Sequence, residues 1–439
     1  MHIKKHLSFK AMISFTKEKF DLIKDKRAMN TSNGLSDVLL SGLACMYFQC
    51  PSLLDFQKKM EEKLRKNNLR SMFKVATLPT DNGMRNIIDS VDTKSAFGPV
   101  YHGLFMRLQR GKHLEQYQVL PDQYLVNVDG TQYYQSKDIS CNKCLTRGKK
   151  GKEYHCHQVL QAAVVKPGLR QVIPLMPEEI CIHDGDEKGD CEVNAFARFM
   201  SGFRRVHDKL WVIINGDAIF ANTSAIRTVH EHDANYIFKV KKGKHQTLFK
   251  NVAQLKMSRI DAKSRRGNNL IIEFVNDVEL FKTSEERTNY IVARELVAQK
   301  GGKKDKVQYL GSWITDITIT TGNAKTLLDC ARARWKIENE CFNTLKNHGY
   351  NIEHNYGHGT ENLCYNFYNF TLLAFFMHQI HQLTDNLFKK VREKYGRMDS
   401  LWQEMRTALC WFYFDGMEEL WLFLSGDERY RPQSYPVIA

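Results

Sequence analysis

Apolar positions between about Leu35 and about Arg110 recur at helical spacing: Leu39, Leu43, Met46, Leu53, Phe56 and Met60. Basic residues fall between them, at Lys58, Lys59, Lys63, Arg65, Lys66 and Arg70. That pattern predicts an amphipathic helical module whose charged face is either a DNA-binding surface or simply solvated. From Tyr124 the texture changes. Tyr124 to Val128 is a short apolar run that reads as a buried strand leaving at Asp129-Gly130. His157 to Val165 and Gln171 to Leu175 read as further strands, and Glu192 to Val206 as a helix with Val193, Phe196, Phe199, Met200 and Phe203 on one side. Leu210 to Ile214 reads as a strand of the buried, parallel type that ends at Asn215-Gly216-Asp217; a helix and the strand Tyr236 to Val240 follow. Strands alternating with helices predict an α/β layer architecture.

The alternation then stops. Leu270 to Val275, Tyr290 to Ala293 and Trp313 to Ile319 look like strands separated by polar turns, so about Lys241 to Thr321 reads as a β-rich insertion. Helical texture resumes at Asn323, an N-cap candidate, and runs through Leu327, Ala331, Ile337 and Leu345 as one helix. The expected organisation is a helical module at 1–115, an α/β core at 116–240 and 322–380, the insertion at 241–321, and a helical C-terminal region at 381–439.

A length of 439 residues suits two to four domains, and 43% hydrophobic residues suffice for real cores. With 64 basic against 49 acidic residues the formal charge is +15, which draws polyanions, nucleic acid first among them. Met1 to Lys10 is basic but lacks the apolar core of a signal peptide. The most apolar stretch, Phe367 to Met377, is too short and interrupted to span a bilayer, so no membrane partner is expected. Eleven scattered cysteines fit a reducing cytosol.

Asp129 and Asp217 each follow an apolar strand, where α/β sheets collect functional groups, and Glu338 lies on the late helix. Three such carboxylates make a hard-oxygen pocket suited to Mg²⁺. Two ions about 4 Å apart would serve phosphoryl transfer. Arg334, four residues before Glu338, can orient the carboxylate or grip a phosphate.

With Val126-Asn127-Val128-Asp129-Gly130-Thr131, Val212 to Ala221 and Arg334-Trp335-Lys336-Ile337-Glu338, the chain resembles bacterial insertion-sequence DDE transposases of the YREK-signature group, over roughly Met46 to His378. The resemblance implies an RNase H-like core with a β-rich insertion and cut-and-paste chemistry at transposon ends. It implies Asp129, Asp217 and Glu338 as the metal-binding triad, with Mg²⁺ as cofactor, in two ions, and Mn²⁺ as a substitute. It also implies double-stranded DNA as partner (terminal inverted repeats and target), a homodimeric end complex, and a cytoplasmic, nucleoid-associated setting. The signature's Tyr falls on Ala331, and its Lys on Leu345 with Lys346 one position later; that slip leaves Glu340 as a rival to Glu338. Arg334, Lys346 and Trp335 are the DNA-contact candidates, Trp335 and Trp313 as stacking platforms or core residues.

Other clusters carry less. Cys141 and Cys144, followed by His155-Cys156-His157, offer zinc ligands at a short spacing; free cysteines in a loop is the favoured reading and a structural zinc the weaker one. Asp184 to Asp190 has Lys188 where a calcium loop needs a ligand and is read as a solvated acidic loop. His354, Asn355 and His358 are read as a loop packed near the site. The basic runs Lys300 to Lys304 and Arg147 to Lys152 read as loops that contact phosphate or solvent. The favoured reading is a DNA transposase. The rivals are a transposition-inactive DNA-binding protein and a nuclease that only hydrolyses.

Overall fold

The computed structural model describes residues 5–27, 31–61, 67–181, 190–282, 286–297, 299, 305–354, 356–428 and 430–434. The acidic loop at 184–189, the basic run at 300–304, Lys63, Arg65, Lys66 and Asn355 lie outside them.

One large sheet organises the molecule. Its main strands are β1 (Gln123–Ser136), β2 (Leu145–Arg147), β3 (Tyr154–Val165), β4 (Trp211–Gly216), β5 (Asn235–Val240), β6 (Ser258–Lys263), β7 (Asn269–Glu279), β8 (Arg287–Val297) and β9 (Lys306–Thr315). They lie in the order β2-β3-β1-β4-β5-β9-β8-β7-β6, with three short strands at the β1 and β3 edges. β4 runs parallel to both β1 and β5; the other neighbours in this order are antiparallel. The parallel centre is where the near-continuous apolar runs fall: Leu125, Val126 and Val128 on β1 and Val212, Ile213 and Ile214 on β4 are all buried.

The β-rich stretch extends the same sheet: β9 hydrogen-bonds to β5 and carries it outward through β8, β7 and β6. One expectation is corrected here. β1 does not leave the sheet at Asp129-Gly130; it continues to Ser136, held by an antiparallel ladder to β3 in which Asp129 faces Gln161. Trp313 sits on β9 and is buried, which removes it as a stacking platform.

Helix α3 (Glu192–Val206) buries Ala195, Phe196, Phe199, Met200 and Phe203, and packs on β3. Helix α4 (Ala324–Arg332) buries Leu327, Leu328 and Ala331 against β5, β7 and β8. The two ends of the chain share one helical layer. Within it, α1 (Leu35–Tyr47) and α2 (Thr93–Arg110) pack against the long helix α5 (Leu363–Thr384), and helix Met398–Trp411 packs against Leu53–Met60. The apolar run at Phe367 to Met377 is therefore a core helix. Among the described residues no helix is long and apolar enough to cross a membrane.

Candidate active site

The parallel ladder between β1 and β4 pairs Val126 with Ile214 and Asn127 with Asn215. Carried two residues further, the same register sets Asp129 beside Asp217, just past the end of β4. Alternation along a strand puts Asn127 and Asp129 on one face. Asp217 is held by its own turn, its Oδ1 accepting from the Ile219 N–H at 2.7 Å.

Below the two aspartates, the asparagines do structural work. Asn127 and Asn215 are fully buried and linked, the Asn215 amide donating to Asn127 Oδ1 at 3.0 Å. Each also donates to the end of α4: Asn215 to the Cys330 carbonyl at 2.9 Å, Asn127 to the Ala333 carbonyl at 2.8 Å. Each carbonyl also accepts a backbone N–H, Cys330 from Ala333 at 3.0 Å and Ala333 from Lys336 at 2.9 Å, so the asparagines add a second donor at the helix end. The single helix expected from Asn323 through Leu345 is thereby corrected. α4 stops at Arg332, Ala333 and Arg334 form a turn, and the chain is helical again from Trp335, with Ile337–Phe342 a single π-helical turn leading into Asn343–Asn347. Strand side chains that bind the last α4 carbonyls explain the stop. π-turns of this kind are frequent at functional sites.

The break aims Arg334 and Glu338 at the strand ends. Arg334 Nη1 donates to Asp129 Oδ2 at 3.1 Å, and Nη2 pairs with Glu338 Oε1 at 2.6 Å. One guanidinium thus spans two carboxylates that lie 209 positions apart in sequence. Glu340 points elsewhere, towards Arg170 at 3.9 Å, so Glu338 and not Glu340 joins the aspartates.

A further carboxylate enters that the sequence reading missed. Glu192, the first residue of α3, lies over Gly130: a Cβ built on Gly130 would fall 2.3 Å from Glu192 Oε1. A glycine directly after Asp129 was the available signal. The carboxylates feel one another. Burial pushes the Asp129 carboxyl up to about 7; Arg334 pulls it down, and Glu192, Glu338 and Asp217 raise it again. Burial raises Glu192 as well, with Asp217 adding to it and Arg147 opposing. Negative charge in this pocket exceeds what Arg334 alone can balance, and every donor facing it is a hard oxygen. That donor set has the chemistry for a hard divalent cation.

Of the DNA-contact candidates, Arg334 is occupied by the carboxylates. Lys346 is turned to the Gln132 carbonyl at 2.9 Å and to Glu353 at 2.7 Å. Trp335 is 42% exposed, with the Lys336 ammonium 5.0 Å from its ring centre. It borders an open cavity of about 400 Å³ lined also by Arg265, Arg266, Lys325, Arg332 and Lys336, between the outer strands and α4.

With this geometry in view, residues 190–364 match the family model described as the transposase DDE domain. The match covers 175 of the 439 residues and likens that segment to DDE transposase domains. No curated protein matches the chain. The matched transposase segment contains Glu192, Asp217, Arg334 and Glu338; Asp129 precedes it.

The second cluster lies beyond the far end of β1. Cys141, Cys144 and His157 do come together there, joined by His358 from the segment before α5. His155 and Cys156, neighbours in the sequence pattern, do not join: His155 meets Thr146 at 3.4 Å and Cys156 is buried elsewhere. His354 packs edge-on against Tyr356.

Proposed function

We propose that this chain is a DNA transposase that cleaves phosphodiester bonds at the ends of its element and joins the freed 3′ ends to target DNA, on an RNase H-like core. Asp129, Asp217 and Glu338 form its carboxylate triad. The observation that carries this reading is the Arg334 bridge between Asp129 and Glu338, with Asp217 near enough to raise the Asp129 carboxyl.

Asp129 and Asp217 would hold divalent cations from the rigid strand side, and Glu338 would complete the set from the π-turn. Mg²⁺ or Mn²⁺, when bound, supplies activation of the attacking oxygen and charge stabilisation on the transferred phosphorus. Arg334 holds Asp129 and Glu338 on one guanidinium before cation or DNA arrives, and the carboxylates would have to draw together around a shared cation as it gives way. Glu192 adds a positioned carboxylate on the Asp217 side. The cationic groove with Trp335 at its border would track the DNA backbone, with the indole available for stacking on an unpaired base. A homodimeric end complex in the cytoplasm, on the nucleoid, completes the reading.

The test uses duplexes carrying the inverted repeats that flank the gene. Asp217→Ala should abolish cleavage while leaving end binding in a gel shift within about twofold. Normal cleavage by this variant would refute the triad. If pre-cut ends give no joined product with the unaltered chain, the enzyme is a nuclease that only hydrolyses; if no variant or wild-type preparation cuts but ends are bound, it is a DNA-binding protein.

A further inference from the structure

Four side chains, three from neighbouring strands and loop and one from a distant segment, meet beyond the Ser136 end of β1. Cys141 and Cys144 lie in the turn before β2, with the Cys144 N–H donating to the Cys141 carbonyl at 3.1 Å. His157 stands on β3 opposite Tyr134. His358 comes from the loop before α5, 214 residues after Cys144. Cys144, His157 and His358 are buried and Cys141 is partly so.

Their spacing is that of a coordination tetrahedron. Zn–S bonds of about 2.3 Å and Zn–N bonds of about 2.0–2.1 Å at tetrahedral angles put ligand atoms about 3.8 Å apart for two sulfurs, about 3.6 Å for sulfur and nitrogen, and about 3.3 Å for two nitrogens. The cluster has Cys141 Sγ to Cys144 Sγ at 3.8 Å, Cys141 Sγ to His157 Nε2 at 3.6 Å, Cys144 Sγ to each ring Nε2 at 3.4 Å, and Nε2 to Nε2 at 3.1 Å. A disulfide is ruled out at that sulfur separation, since an S–S bond is about 2.05 Å.

Proton placement points the same way. His358 Nδ1 faces the Gly359 carbonyl at 2.9 Å, so Nδ1 carries the hydrogen and Nε2 presents a lone pair. His157 Nδ1, buried and without a hydrogen bond, faces the Glu179 carboxylate at 3.8 Å, which favours the same tautomer. Two lone pairs 3.1 Å apart repel each other unless a cation lies between them. A ring nitrogen bonded outward to a carbonyl or carboxylate is the usual support of a metal-bound histidine.

We infer that Cys141, Cys144, His157 and His358 hold one structural zinc ion. All four positions are filled by protein, so the ion has no open site for catalysis. It pins the distal end of the β1–β3 hairpin, whose first strand carries Asp129, to the segment that follows the Glu338 π-turn. Binding would release the two thiol protons. This inference does not rest on the transposase reading.

The full-length chain, expressed with zinc supplied and purified without chelator, should carry about one zinc per chain by plasma mass spectrometry. Cys144→Ser and His358→Gln should each lose it, while Asp217→Ala and Cys191→Ser should keep it. Because the ligand variants could fail to fold, cobalt(II) exchange into the unaltered chain is the second measurement. It should give the intense visible bands of tetrahedral cobalt with thiolate charge transfer. A wild-type chain without zinc, together with a weak octahedral cobalt spectrum, would overturn the site. So would zinc lost in Asp217→Ala and kept in folded Cys144→Ser, which would place the ion on the carboxylates.

Discussion

Burial and three neighbouring carboxylates hold the Asp129 carboxyl at about 7 against an ordinary 3.8, with Arg334 alone pulling it down. The folded chain therefore binds a proton that the unfolded chain has released, and folding stability falls as pH rises from 3.8 to about 7. A divalent cation at the site replaces that proton. Mg²⁺ should accordingly raise the melting temperature more at pH 8 than at pH 5, and Asp129→Asn should erase the difference; an equal shift at both pH values would contradict the role given to this residue. Gly130 offers a second test. An added methyl would collide with Glu192 Oε1, the mobile end of a side chain, so Gly130→Ala should fold normally while displacing Glu192. Its cleavage rate should fall by about tenfold or more, as when positioning groups around a metal are disturbed. An unchanged rate would make Glu192 a bystander.

At the scale of elements, the decisive feature is the way two strands end a helix. Asn215→Leu leaves Asn127 Oδ1 without its donor in a buried place and strips the side-chain donor from the Cys330 carbonyl, which keeps only the Ala333 N–H. That should cost about 1–3 kcal/mol in denaturant unfolding. It should reduce cleavage far more than stability, because the π-turn carrying Glu338 loses its anchor. Parallel losses in stability and activity would instead point to general unfolding. The strand before Asp217 was legible in the sequence, because its apolar run ends at Asn-Gly-Asp and the chain turns there. Asp129 misled: Asp-Gly reads as a turn, while the ladder to β3, formed by residues 19 to 32 positions later, carries the strand on to Ser136. The broken helix was hidden for the same reason. Leu327, Ala331, Ile337 and Leu345 keep an apolar face across the break, and the asparagines that cause it stand about a hundred or more residues away. Arg334 with Glu338 was readable from spacing; the partner of Cys141 and Cys144 at His358 was not, since local spacing cannot announce a contact across 214 residues.

Across the whole molecule, the outer strands β6 to β9 are the continuation of the central sheet rather than an appended unit. Calorimetry should therefore show the carboxylate core and these strands melting together, and two resolved transitions separating them would contradict the sheet continuity. The +15 charge gives long-range attraction to DNA, and the groove beside Trp335 gives it a place. Replacing Arg265 and Arg266 together by Ala should weaken binding to any duplex and lower the slope of log K against log salt by about two. An unchanged slope would move the DNA path off this groove. The central claim is that Asp129, Asp217 and Glu338 jointly bind the catalytic cation, and it is tested most directly by manganese anomalous diffraction. The crystals would hold the full-length chain bound to its end DNA, with data collected between the manganese and zinc absorption edges. The account predicts anomalous density bounded by these three carboxylates and lost in Asp217→Ala; manganese bound elsewhere, with the three side chains free of it, would contradict it.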